Sequence, residues 1–411
     1  MEVYASVYVL VMLLLSLLAF PLIIIRLYLR KQRDYKKIQW LGMILNFINK
    51  IKVSGLLRGK VSLWYHEFYK IFITQKILLV LMIVAGLQIF LNQPKNHMVA
   101  SVDDYFFRQY MQKLSGPLTE EKLQFIQSEK EKYEELNTTY LKLLSEGKSS
   151  FVLEQKLKPY QAFQWVQERL DYLKKNEGAY FIYDRPYQEL TAGRNHQNDA
   201  ILAFGYILLL ILCVAGIFGM DYQMQLNHLC SITYRGKFQQ VFIKIFYGFL
   251  LNLLLSLLVY IPFTFKIWNS YHMEQSTLEY PINSLPYLSH LGADITIAQY
   301  LRLVYICRIL YAVIISLLIF YLAKKFRNTL IVIFISILIF ALPISFLLVN
   351  EKFIDLYYFY SPILGNLLWR YDGKRILVLG IICFFAAGIL LYNIFSLNLL
   401  KKQNKLKAEN T

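Results

Sequence analysis

The sequence has little cysteine. Its four cysteines, Cys213, Cys230, Cys307 and Cys383, are spread over 411 positions, and none lies in the polar stretch from Asn92 to Asn198. That distribution argues against a disulfide framework, and no C-x-x-C pair offers thiolate ligands to a metal. The motifs of catalysis are missing as well. Gly147-Lys148-Ser149 copies the end of a phosphate-binding loop, but the first glycine of that motif would fall at Lys142. None of the six histidines is paired as H-E-x-x-H, and there is no G-x-S-x-G elbow. His196 beside Asp199, and His272 near Glu274, read as solvated loop residues rather than ligands. The chain is therefore expected not to be an enzyme, and to carry no cofactor or metal of its own.

Acidic residues are scarce beside basic ones. There are 27 Asp and Glu against 44 Lys and Arg, a formal charge of +17. Nucleic acid is one partner that such an excess could serve. The placement favours another reading. The basic residues cluster at the ends of apolar runs, as the positive-inside rule requires of cytoplasmic loops. No nucleic-acid partner is expected.

What the sequence has in abundance is hydrophobic residues, 57% of the chain. Several runs reach the roughly 20 residues needed to cross a bilayer, and Thr329 to Val349 carries no charge at all. The expectation is an all-α membrane protein with about seven transmembrane helices. They are Val3 to Ile25, Ile77 to Leu91, Ala200 to Met220, Val241 to Phe263, Leu301 to Leu322, Thr329 to Val349 and Ile376 to Leu397. The first run has no basic residue before it and Arg26, Arg30, Lys31, Arg33, Lys36 and Lys37 after it. That is the reverse of a cleaved signal peptide. The N-terminus is placed outside, and the tail with Lys401, Lys402, Lys405 and Lys407 in the cytoplasm. The richness in Lys, Ile, Asn, Tyr and Phe suggests an AT-rich genome, and the expectation is the plasma membrane of a bacterium.

The chain divides into an N-terminal anchor (1–28), a basic amphipathic segment (29–75), a span (76–91), an extracellular domain (92–198), a transmembrane bundle containing the loop 221–240 (199–400) and a cytoplasmic tail (401–411). In the amphipathic segment, Trp40, Ile44, Phe47 and Ile51 form one apolar stripe, and Trp64, Phe68, Ile71 and Ile73 another. Such helices lie in the membrane interface or pack on protein. In the extracellular domain, Leu123, Ile126, Lys130, Tyr133, Asn137, Tyr140 and Leu144 follow 3-4 spacing, as do Phe163, Val166, Leu170 and Leu173 after Pro159. An antiparallel helical hairpin is the simplest architecture for them. A surface helix is expected near Ile295 to Arg302. Arg308, inside the fifth run, either snorkels to the headgroups, faces a polar partner or lines a substrate path.

Three motifs resemble the ABC-2-type permeases of ABC transporters. In the loop after the third span, Asp221 is followed by Leu229, Ser231, Thr233, Tyr234, Arg235 and Gly236, and Lys244 opens the next span. This looks like that family's first cytoplasmic loop. Upstream, Trp64-x-x-Glu67-x-x-Lys70 is similar to its interfacial elbow helix. Downstream, ITIAQYLRLVYICRIL and then AKKFRN resemble its fourth helix and the turn after it. The family usually has six spans and a cytoplasmic N-terminus, so an extra span precedes the elbow here. The resemblance implies a permease subunit, with ATP and Mg bound by a separate P-loop ATPase docked on the loop at Asn227 to Gln240. It also implies a second permease chain. The expected cargo is a peptide, an antimicrobial or a lipid-like substrate moved outward. The alternative is a sensing or resistance module that couples an external peptide to a partner without net transport.

Overall fold

The computed structural model describes residues 63–93, 101–146, 151–191, 196–223, 236–291, 294–349, 358–371 and 373–396. The first expected span, the Trp40 to Ile51 stripe, Gly147 to Ser149 and the C-terminal lysines lie outside the described residues. Among the described residues the chain is nearly all helix. It has no strand, only isolated bridges such as Gly116 with Phe181 and Pro281 with Thr296.

The described chain opens with a short helix α1 (Leu63–Phe68) that runs through a π turn (Tyr69–Thr74). It then breaks at Lys76, which takes the left-handed conformation, and continues as α2 (Ile77–Leu91). The two parts are bent by 53°, and only together do they pass as a span. The 15 residues of α2 are too few to cross alone.

The polar insert follows as α3 (Val102–Leu114), α4 (Glu120–Ser145), α5 (Phe151–Leu157), α6 (Tyr160–Lys175) and α7 (Arg185–Leu190). Ile126 and Tyr133 of α4 and Phe163, Val166 and Leu173 of α6 are buried, as their spacing predicts. Lys130 and Leu144 are exposed. The expected hairpin is incomplete, because α3 supplies a third layer. Its Phe107, Met111 and Leu114 join the same core, and Phe107 meets Trp165 edge-on at 5.7 Å. Ser101 caps α3 by accepting a hydrogen bond from the Asp104 N–H.

Five further helices are long and apolar enough to cross a membrane, which makes up to six with the bent pair. They come from α8 (His196–Gln223), α9 (Gly236–Tyr271), α10 (Ile297–Phe326), the chain through α11 (Thr329–Ser336) and α12 (Leu342–Val349), and the last helix. Two short helices, α13 (Ser361–Leu364) and α14 (Leu367–Arg370), precede that last helix, α15 (Gly373–Ser396). These are the third to seventh expected spans. The expected surface helix at Ile295 to Arg302 is instead the opening of α10. A capping box of Thr296 and Gln299 starts that helix three residues before the polar stretch ends.

Helix α8 is the axis of the bundle and α15 its margin: 67% of one apolar window is buried and 11% of the other. Close approach is secured by small residues. A Cβ on Gly248 of α9 would strike the Phe320 ring of α10, and one on Gly219 of α8 would strike Thr329 of α11. Pro343 lacks the N–H that Ile339 O would otherwise accept. The Tyr360 hydroxyl donates to that carbonyl at 2.6 Å, beside the π turn Ile337–Ala341. Freed backbone groups at membrane depth need such a substitute donor.

Candidate functional site

The segment Leu63–Thr74 turns its charges inward. Glu67 and Lys70 are buried, while Phe68 and Tyr69 are 40% and 46% exposed. One face of this segment therefore packs on protein, while Phe68 and Tyr69 stay on the outer face. The helix lies against α9, where Trp64 meets Phe242, Phe246 and Tyr247 with ring centroids 6.4, 5.2 and 5.9 Å apart. The Tyr247 hydroxyl donates to Trp64 O at 3.0 Å.

This seat brings four of the expected residues together. Lys70 Nζ donates to Asp221 Oδ1 at 2.8 Å. It also stands 2.6 Å from Glu67 Oε2, an ion pair without hydrogen-bond alignment. Lys244 pairs with the other Asp221 oxygen. Gln240 Nε2 donates to Glu67 Oε1 at 3.0 Å and to Asp221 Oδ2 at 3.3 Å. Two carboxylates and two ammonium groups balance, and every side chain in the two ion-paired sets is at most 8% exposed. Removing one partner from a buried ion pair typically costs about 3–5 kcal/mol, because the other charge is left without compensation. The cluster therefore holds three pieces of chain at fixed distances: the segment Leu63–Thr74, the end of α8 and the start of α9. Leu229, Ser231, Thr233, Tyr234 and Arg235 of the intervening loop lie outside the described residues, and Gly236 is the first residue of α9.

Arg308 does not snorkel. Its side chain is 3% exposed, and Nη2 donates to Asp199 Oδ1 at 2.8 Å and to Leu364 O at 3.1 Å. Its guanidinium lies 4.5 Å from the Tyr260 ring and 5.7 Å from the Tyr305 ring. Gly365, at φ +83°, lets the chain pass so close that Arg308 Cζ is 2.7 Å from where a Cβ would stand. Asp199 is thus a buried ion-pair partner at the start of a span, not a solvated loop residue. Among the described residues, Asp199 Oδ2, Arg308 Nε, Tyr300 OH and Asn366 Oδ1 are buried and have no hydrogen-bond partner. No group of three His, Cys, Asp or Glu among the described residues could hold a metal.

A third set of polar contacts ties the insert to the segment between α9 and α10. Tyr172 donates to Asn283 O at 2.6 Å, Asn283 Nδ2 to Glu177 O at 3.1 Å, and the Tyr180 N–H to Ser284 Oγ at 2.9 Å. Within the insert itself, Arg169 pairs with Asp184 at 2.8 Å, and Arg185 with Asp104 at 2.7 Å. Burial pushes the Tyr187 phenol up to about 12; its oxygen is 2.5 Å from Thr277 Oγ1. Burial also raises Tyr183, with the Asp104 carboxylate adding to the effect.

Comparisons with protein families, with curated proteins and with solved structures return no match. The geometry alone therefore ranks the sites. Sequence reading named Glu67, Lys70, Asp221, Lys244 and Arg308, took Asp199 for a solvated loop residue, and missed Gln240, Tyr260 and Gly365. A signal for Asp199 was present. It is the lone acid at the start of one span, and Arg308 is the lone base in the body of another. Opposite charges in spans seek each other.

Proposed function

We propose that the chain is the permease subunit of an ATP-driven transporter of ABC-2 type, exporting a peptide, antimicrobial or lipid-like substrate across a bacterial plasma membrane. The observation that carries this reading is the buried cluster of Glu67, Lys70, Asp221, Gln240 and Lys244. It fastens both ends of the loop 224–235 to the elbow. A partner that moves the loop moves α8, α9 and the elbow as one body. The partner in this proposal is a P-loop ATPase that carries ATP and Mg, and Leu229, Tyr234 and Arg235 supply its anchors. An apolar pair beside a planar donor fork is what a docking groove selects. The insert then lies outside the cell, the loop and the Lys324, Lys325 and Arg327 turn inside, and a second permease chain completes the unit.

The test is a mild-detergent pull-down of the tagged chain from its host. A stoichiometric P-loop ATPase is expected with the wild type, and Arg235→Glu is expected to lose it while the protein still folds. Failure to recover an ATPase under conditions that preserve a known complex removes the reading.

The insert's ties to Asn283 and Ser284 favour a second reading, a sensing module. A ligand held by the insert would bear on α10 directly through this segment. Ligand-dependent response without flux in sealed vesicles selects it over export.

A further inference from the structure

The halves of α9 and α10 nearest the insert leave a groove of 490 Å³ between them. This is within the roughly 300–1,000 Å³ of small-ligand sites. Leu257, Ile261 and Phe265 of α9 form its outer rim and are 42%, 54% and 59% exposed. Both walls are spans, so the rim faces the hydrocarbon of the bilayer. The floor is Tyr260 and Tyr305, the two rings that cover the Arg308 guanidinium. The Tyr305 and Thr264 hydroxyls bond to each other, so these two polar groups in the wall satisfy themselves and the remaining lining is mostly apolar.

The insert-side mouth is different. Arg302, Tyr305 and Ile309 stand at i, i+3 and i+7 on α10 and share one stripe. Arg302 is therefore one turn above the groove, about 4.5 Å along the axis from Tyr305. It is exposed, and among the described residues it has no ion-pair partner. Trp268, near the end of α9, lines the same mouth. A Trp and an Arg at a span's end belong to the headgroup layer. Below them the groove opens onto the hydrocarbon of the bilayer, and Arg302 at its mouth selects a lipid with an anionic headgroup.

We propose that this groove is a binding site for one anionic glycerophospholipid of the insert-side leaflet. An acyl chain lies along Leu257, Ile261 and Phe265, and the phosphate pairs with Arg302. The proposal stands on the spans and on Arg302. It does not depend on the ATPase-docking reading, and its assay needs no partner chain.

The full chain is reconstituted in nanodiscs holding equal amounts of phosphatidylglycerol and phosphatidylcholine, then stripped with detergent and weighed by native mass spectrometry. One retained lipid per chain is expected, with phosphatidylglycerol favoured about fivefold, the effect of one interfacial arginine on an anionic lipid. Arg302→Gln is expected to keep the lipid and lose the preference. Leu257→Trp is expected to fill the groove and lower retention of both lipids. Both positions are on the surface of the bundle, so both variants should fold; matching melting temperatures check this. Equal retention of the two lipids by the wild type, or undiminished retention by folded Leu257→Trp, overturns the proposal.

Discussion

At the scale of single residues, Gly365 is the most constrained position beside the Asp199–Arg308 pair. Its backbone is left-handed at φ +83°, and the Arg308 guanidinium occupies the space of its missing side chain. An alanine there meets two penalties: the left-handed conformation, and displacement of an arginine whose charge has nowhere else to go. Together these predict that Gly365→Ala destabilises by about 2–4 kcal/mol, seen as a clear fall in melting temperature in detergent. Gly380 is the matched control. It lies inside α15, and a Cβ there would meet nothing within 4 Å. Gly380→Ala is expected to be neutral or stabilising by up to about 1 kcal/mol, through helix propensity alone. Equal melting temperatures for the two variants would refute the role given to Gly365. A glycine's identity in the sequence says nothing of this difference. It arises because one is crossed by a charged side chain from another helix and the other faces outward.

At the scale of elements, the insert and the α9–α10 segment share a hydrogen bond between Tyr187 of α7 and Thr277. The Tyr187 phenol is pushed up to about 12 by burial, against about 10 in an unfolded chain. Because the folded value is raised, the neutral phenol's contribution is fully present below pH 10. It is lost as pH rises from 10 towards 12. At pH 11 the loss is about 1.4 kcal/mol, the worth of one pH unit. Tyr187→Phe is therefore expected to lose less stability between pH 8 and pH 11 than the wild type, as followed by melting temperature at the two values. Identical losses would show that this phenol does not report the contact. Elements were the legible scale in the sequence. Long apolar runs and 3-4 spacing marked α4, α6, α8 and α9, because burial in lipid or in a helix seam imposes its period directly on the chain. The third layer α3 was not legible, since VDDYFFRQYMQKL mixes charge with aromatics and its buried face appears only once α6 is beside it. The segment with Trp64, Glu67 and Lys70 was legible as amphipathic, but the burial of its two charges was not. Charges suit water, and here buried partners more than 150 positions away outweighed that preference.

At the scale of the whole molecule, the alternation of spans puts the insert and the α9–α10 segment on one side, and the α10–α11 turn on the other. The contacts of Tyr172, Tyr180 and Asn283 require the same. Cysteines placed at three exposed positions test it in sealed vesicles after Cys230→Ser. With an impermeant maleimide, Lys158→Cys and Gln275→Cys are expected to label together, and Lys325→Cys only when the membrane is opened or inverted. Labelling of all three from one side would break the bundle's topology. The charge cluster also has a consequence in time. Lys70 must wait for Asp221, 151 residues later, and Lys244 comes later still. At the roughly 5–20 residues per second of a ribosome, that delay is about 8–30 s. Through that interval the Lys70 ammonium and the Glu67 carboxylate have only each other, because Asp221 and Gln240 have not been synthesised. The exposed Phe68 and Tyr69 can keep their segment at the membrane surface until α9 emerges. An early segment thus docks onto a later one, and a chain arrested before Lys244 should leave the Leu63–Thr74 segment open to protease.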